Sequence, residues 1–276
     1  MSNTSLGRLG VCSWSLRAGS PSELVDAVRS LGLRSIQLHL DPIRSWQWRP
    51  DEVASRLRVA GIRIASGMMG FAGEDYSTLE TIKNTGGVRL DEHWAENLKH
   101  AEGNAIIAAR YGISLVTFHA GFLPHDRKDA VRGVMIERLR MIADAFAARN
   151  IAVAFETGQE SAETLLEVLH DLERPSVGVN FDPANMILYG MGDPIDALSK
   201  LAPRVKQIHI KDATPTSQPG TWGTEVRAGT GAVDWKKFFA VAKEKGIVCP
   251  CMIEREAGEE RAADIAAARD VVLPLM

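Results

Sequence analysis

Cysteine is scarce in this chain, and long apolar runs are missing. Its three cysteines, Cys12, Cys249 and Cys251, are too few and too unevenly placed for a disulfide framework. Cys249-Pro250-Cys251 has the spacing of neither a zinc ribbon nor a redox pair, so the thiols are expected to be buried, packing as small apolar groups. No stretch approaches the ~18 apolar residues of a membrane span. Met1 to Arg8 lack the apolar core of a signal peptide, and a reducing cytoplasm is the expected setting. A large charge imbalance is missing too. With 32 Lys and Arg against 35 Asp and Glu, the formal net charge is −3, and no basic run offers a nucleic-acid footprint. A phosphate loop of the GxxxxGK type is likewise absent.

What the chain does have is a strand-then-helix rhythm. Short apolar runs fall at Leu9–Leu16, Leu33–Leu40, Ile62–Met69, Ile113–Ala120, Ile151–Thr157, Val177–Asp182, Val205–Lys211 and Val248–Glu254. Amphipathic stretches separate them, at Pro21–Leu31, Asp51–Ala60, Trp94–Tyr111, Ala130–Arg149, Ala162–Leu172, Pro194–Leu201, Asp234–Lys245 and Glu259–Val271. Ser20-Pro21 and Asp193-Pro194 read as helix starts, while Gly32, Gly61, Gly112 and Gly246 read as helix stops. Eight such units predict an α/β fold, a single parallel (β/α)8 TIM barrel spanning residues 1–276 as one domain. An open doubly wound sheet would usually show a Gly-rich turn after its first strand, and Val11–Ser15 leads into none. Two connections, Gly70–Glu92 and Asp212–Val233, are long, and both follow a strand. Both are therefore expected on the face where barrel enzymes build their sites.

Strand parity shows where the polar residues point. Val153 and Phe155 share one face of the fifth run and leave Glu156 on the other; Val179 and Phe181 do the same for Asp182. Ile208 and Ile210 face out, so Gln207, His209 and Lys211 face in, and Glu254 stands opposite Cys251 and Ile253. Gln37, His39, Thr117 and His119 are inward by the same test. Four consecutive strands thus deliver Glu156, Asp182, His209 and Glu254 to the interior at their C-terminal ends. Buried carboxylates are expensive unless paired, protonated or bound to a cation. Three carboxylates and one imidazole suit a single divalent ion, Mn²⁺, Mg²⁺ or Co²⁺ first, with Zn²⁺ also compatible. Such an ion polarises a carbonyl and stabilises an enediolate, leaving Glu156 and Glu254 to exchange the adjacent carbon-bound proton.

The segments Phe155-Glu156-Thr157-Gly158, Asn180-Phe181-Asp182-Pro183-Ala184-Asn185, His209-Ile210-Lys211-Asp212 and Ile253-Glu254 resemble the xylose isomerase-like barrel superfamily. Within it they are most similar to the sugar-phosphate isomerases and epimerases, including the ketose 3-epimerases. The resemblance covers essentially the whole chain in element order. It implies that Glu156, Asp182, His209 and Glu254 hold the metal and that the two glutamates form the acid/base pair. It also implies that Arg227 reaches a substrate oxygen and that His119 lines the substrate site; Asn185 is a further candidate for substrate binding, and Lys211 either neutralises a carboxylate or contacts the substrate. Asn185 stands where ketose epimerases often carry His; an amide donates and accepts hydrogen bonds but carries no charge. Trp14, Trp46, Trp48 and Trp222 are candidates for an apolar wall.

Metal-dependent isomerisation or epimerisation of a small sugar, sugar phosphate or polyol-derived ketone is thus the leading expectation. An inosose- or dehydroshikimate-type dehydratase is the alternative, since proton abstraction beside a carbonyl begins both reactions. A non-catalytic sugar-binding barrel would need no proton-transfer pair. An endonuclease IV-like nuclease would need further His ligands that Asn185 and Val233-Asp234-Trp235 do not supply. The expected partner is a small carbohydrate-like molecule, with no nucleic acid and no membrane; barrels of this kind often pair, so a homo-oligomer is compatible.

Overall fold

Each apolar run becomes a strand, and successive strands lie parallel because a helix carries the chain back between them. The computed structural model describes residues 7–218 and 220–276, so most of the Met1–Arg8 leader reading lies outside the described residues. Its strands are β1 (Leu9–Cys12), β2 (Ser35–His39), β3 (Arg63–Met68), β4 (Leu115–Phe118), β5 (Ala152–Glu156), β6 (Gly178–Phe181), β7 (Val205–Ile210), β8 (Asp212–Thr214), β9 (Thr224–Val226) and β10 (Cys251–Ile253). β1 to β7 and β10 form a closed parallel barrel in chain order, sealed where β10 pairs with β1. This is the TIM-barrel architecture expected from the eightfold rhythm. Among the described residues, no helix is long and apolar enough to cross a membrane.

The helix signals act as read. Ser20 accepts a hydrogen bond from the Glu23 N–H, and Asp193 caps Pro194–Leu201 through the N–H groups of Ile195 and Asp196. The four helix-stop glycines have φ between +67° and +69°, where a side chain would be strained. Every barrel strand is shorter than its apolar run, and at β1 and β10 the reason is visible. After Cys12 the chain turns into a 3-10 segment, Ser13–Leu16. There the Ser13 and Ser15 hydroxyls accept the backbone N–H groups of His39 and Arg255, replacing ladder partners. At the far end, Pro250 has no N–H to give a ladder and Val248 is 79% exposed, so β10 begins only at Cys251. All three cysteines are free and buried.

Both long connections lie on the C-terminal face. Gly70–Glu92 carries a short helix, Leu79–Thr85, whose Thr78 and Thr81 form a capping box. The other folds β8 and β9 into an antiparallel hairpin. Asp212 organises it, accepting N–H groups from Ala213, Gly229, Gly231 and Val233 and the indole N–H of Trp235.

Outward strand residues pack on the helices as the parity test requires, with Phe181 of β6 meeting Phe238 of helix Trp235–Glu244 at 5.8 Å. Inside, the filling is polar. Gln37 donates to Thr117 Oγ1 and accepts from Gln207, which also donates to Asn180 Oδ1 and accepts from Ser66. All five are buried, and each amide is fixed by its neighbour, so the polar interior meets its hydrogen-bonding requirement. Phe238→Ala should empty a fully buried site on the outer layer and cost about 3–5 kcal/mol. Urea unfolding followed by tryptophan fluorescence checks this, and a loss under about 1 kcal/mol would contradict the packing described.

Candidate metal centre

Glu156 ends β5, Asp182 directly follows β6, His209 lies in β7 and Glu254 directly follows β10. One ligand atom from each of these buried residues lies within 4.8 Å of all the others. His209 Nδ1 is the hub, 3.3 Å from Glu156 Oε1, 3.4 Å from Glu254 Oε2 and 3.6 Å from Asp182 Oδ2.

Neighbouring groups aim each of these atoms. His209 Nε2 lies 2.7 Å from Gln37 Oε1, which can only accept, and 3.1 Å from Asn180 Nδ2, which can only donate; the shorter contact favours donation from the imidazole to Gln37. That places hydrogen on Nε2 and leaves the Nδ1 lone pair facing the carboxylates in the neutral ring. Asp182 Oδ1 caps helix Pro183–Tyr189 by accepting the N–H groups of Ala184 and Asn185, at 2.8 and 3.0 Å. Glu254 accepts Trp14 Nε1–H on one oxygen and Lys211 Nζ on the other, both at 2.9 Å. Glu156 accepts from Asn185 at 2.9 Å and from Asn180 at 3.1 Å. Thr157 Oγ1 donates to the Asp182 carbonyl and accepts its N–H, locking the ends of β5 and β6 together.

Two buried polar atoms are left without any partner, Asp182 Oδ2 and His209 Nδ1, and both face the centre of the cluster. Without a metal, only a proton on His209 Nδ1 would stand against three converging carboxylates, which leaves buried negative charge uncompensated at a cost of several kcal/mol. The donor set fits a divalent ion held by oxygen and imidazole nitrogen. The electrostatics agree: burial opposes a charge on His209, yet Glu156 and Glu254 outweigh it and hold its pKa well above the ordinary value. For Glu156, burial favours protonation, and His209 with His119 reverses this and keeps its carboxyl below the usual range. Cys12, which also lies near His209 and Glu254, is a poor ligand. Burial pushes its thiol up to about 12, and it approaches the already committed Nε2.

Above the cluster opens a cavity of about 450 Å³ on the C-terminal face. Its apolar wall is built from Trp14, Phe71, Leu188, Tyr189 and Trp222. Glu254 reaches this wall, whereas Glu156 is 3% exposed and lies just beneath it, its Oε1 3.5 Å from His119 Nε2. His119, Asn185 and Lys211 line the cavity. Arg227 does not: it is exposed beyond β9, outside the lining. Trp48 borders a smaller neighbouring hollow, and Trp46 is 72% exposed. Sequence reading passed over Glu74, Tyr76, Glu225 and Glu256, which all reach the cavity. Glu74, Tyr76 and Glu256 lie on loops and Glu225 in the short hairpin strand β9, outside the barrel strands to which the parity test was applied; only the length of two connections signalled them.

If the cluster holds a metal, binding near pH 7 should release about one proton, since His209 must surrender the one on Nδ1. Calorimetric titration with Mn²⁺ in buffers of different ionisation enthalpy reads this directly, and a slope of zero would contradict it. Asp182→Ala should lose the roughly one equivalent of metal expected per chain, measured by mass spectrometry. Gly158 has φ +137°, and an added Cβ would stand 2.4 Å from Asn185 Cβ. Gly158→Ala should therefore displace Asn185 from Glu156 and weaken metal affinity by about 10–100-fold.

The xylose isomerase-like TIM barrel family matches residues 25–273. A xylose isomerase domain protein from Planctomyces limnophilus is 32% identical, with 91% of each chain covered and a TM-score of 0.85. A D-allulose 3-epimerase from Methylomonas sp. shares the fold at 14% identity, covering 98% of each chain with a TM-score of 0.73. A 3-dehydroshikimate dehydratase from Bacillus anthracis is 27% identical over 130 residues, 45% of this chain and 46% of that protein. The chain spans less than half the length of the curated relatives it matches, 40% of one and 46% of the other. With a closed barrel and a buried acid–imidazole cluster at its C-terminal end, the chain belongs to the xylose isomerase-like TIM barrel family.

Proposed function

We propose that this protein is a divalent-metal-dependent isomerase or epimerase of a small ketose-like carbohydrate. The observation that carries this reading is the convergence of Glu156, Asp182, His209 and Glu254 beneath a cavity of sugar-binding size. A bound Mn²⁺, Mg²⁺ or Co²⁺ would supply the Lewis acidity that makes a proton beside the substrate carbonyl removable. Everything else is done by the chain's own residues. Glu254, on the cavity wall, takes the carbon-bound proton, with Trp14 and Lys211 fixing its two oxygens. Glu156 is its partner from beneath the opposite side of the cluster, and returns a proton to the substrate carbon. Asn185 and Asn180 hold the two oxygens of Glu156, so its carboxylate cannot swing away from the cluster. His119 and Lys211 line the space a substrate hydroxyl or carbonyl would occupy, and Trp14, Tyr189 and Trp222 exclude water from it.

One feature favours a second reading, dehydration. His119 faces the cavity with Nδ1 buried and without a partner, and an imidazole there could protonate a departing hydroxyl. The dehydratase from Bacillus anthracis agrees with that reading. Product analysis separates the two: a new ketose stereoisomer supports the first, and an ultraviolet-absorbing enone supports the second.

Glu254→Gln and Glu156→Gln should each lower solvent deuterium incorporation into substrate carbon by at least about 10²-fold, the scale of a lost acid/base group. Mass spectrometry of the recovered sugar measures it. Unchanged exchange in either variant would remove that glutamate from the mechanism.

A further inference from the structure

Four carboxylates, those of Glu74, Glu225, Glu254 and Glu256, reach the wall of the cavity. The basic groups there are Lys211, His39 and His119, and each already has an acidic neighbour. Lys211 Nζ lies 2.9 Å from Glu254 Oε2, 2.6 Å from Glu256 Oε2 and 3.9 Å from Glu225 Oε2. His39 Nε2 lies 3.2 Å from Asp41 Oδ2, and His119 Nε2 lies 3.5 Å from Glu156 Oε1. Arg255, behind this wall, is held between Glu225 and Asp264. No arginine lines the cavity among the described residues, and Arg227 is outside it. Glu74, in the Gly70–Glu92 connection, is held by the backbone N–H groups of Gly87 and Phe71, at 2.9 and 3.5 Å.

From this charge layout we infer that the cavity takes an uncharged carbohydrate, a free ketose or cyclic polyol ketone, and turns away phosphorylated or carboxylated counterparts. The inference rests on reading the cavity as a carbohydrate site and adds the charge of the substrate to it. A phosphate or carboxylate binds tightly where unspent arginine or lysine N–H groups converge. Here an incoming anion would have to draw Lys211 away from Glu254 and Glu256, leaving buried carboxylates uncompensated, and would meet Glu74 and Glu256 as like charges. Hydroxyl groups face no such conflict. They can donate to Glu74 and Glu256 and can both donate to and accept from Asn185, all on the wall. The apolar faces of a sugar ring can pack on Trp14, Tyr189 and Trp222.

The test is calorimetric titration of the Mn²⁺-loaded protein with matched pairs. Ketohexoses are compared with their 6-phosphates, ketopentoses with their 5-phosphates, and 2-keto-myo-inositol with 3-dehydroshikimate. Carbon–hydrogen exchange in deuterated solvent is followed on the same panel. At least one neutral member should bind tenfold or more tighter than its anionic counterpart. Glu256→Gln, with metal content unchanged, should shrink that ratio several-fold by releasing Lys211. Equal or tighter binding of the phosphates or of 3-dehydroshikimate overturns the inference even if exchange is robust. So does failure of every neutral compound to bind, or a ratio that Glu256→Gln leaves untouched. A neutral preference without any exchange supports the inference and instead defeats the proposed proton-transfer function.

Discussion

Three carboxylate side chains and one imidazole nitrogen converge within 4.8 Å at the C-terminal end of the barrel, all of them buried. At such separations, like charges in a protein interior repel by several kcal/mol at an effective dielectric constant of ~20. That cost decides much of what surrounds the cluster. A helix N-terminus is placed against Asp182, an indole and an ammonium against Glu254, and two amides against Glu156. Both oxygens of Glu254 and of Glu156 are held by these groups, whereas Asp182 spends only Oδ1, and two atoms, Asp182 Oδ2 and His209 Nδ1, keep no hydrogen-bond partner and turn inward. The cluster thus gathers more negative charge than a protonated His209 can balance, which is the demand a divalent cation meets.

The polar interior follows from the same demand. A barrel of this kind is usually filled by layers of branched apolar side chains. Here Gln37, Ser66, Thr117, Asn180 and Gln207 form a connected set of hydrogen bonds across the barrel. This set ends on His209 Nε2, and its direction fixes which imidazole nitrogen keeps its lone pair. An apolar filling would pack as densely but could not orient the ring. The chain therefore accepts a polar core because that core selects one tautomer at the ligand position.

Much of this was legible in advance. Parity along β5, β6, β7 and β10 separates Phe155, Phe181, Ile208, Ile210 and Ile253 from Glu156, Asp182, His209 and Glu254. A parallel barrel strand has a strict inside and outside, so two-residue periodicity settles the facing. The same rule reached His119 and Lys211. It did not reach Glu74 or Glu256, which lie on loops without a period, or Glu225, whose hairpin strand β9 stands outside the barrel, and it gave no distance for Arg227, which the hairpin leaves outside the cavity. The ends of β1 and β10 were also overestimated. An apolar run cannot show that serine hydroxyls take over the backbone pairing after Cys12, or that Pro250 delays the start of the last ladder.

By itself, then, the sequence determined the number of units, their parallel closure, the helix caps and the four inward polar ends, because these depend on local periodicity and on residue-specific backbone geometry. Only the tertiary structure decided which groups hold each carboxylate, which oxygen of Asp182 stays free, how His209 is oriented, and where Lys211 spends its charge. Those choices are made by partners distant along the chain, such as Gln37 for His209 and Trp14 for Glu254, separated by 172 and 240 positions. A hydrogen bond between such partners exists only once the barrel has closed, and no pattern along the chain encodes its direction.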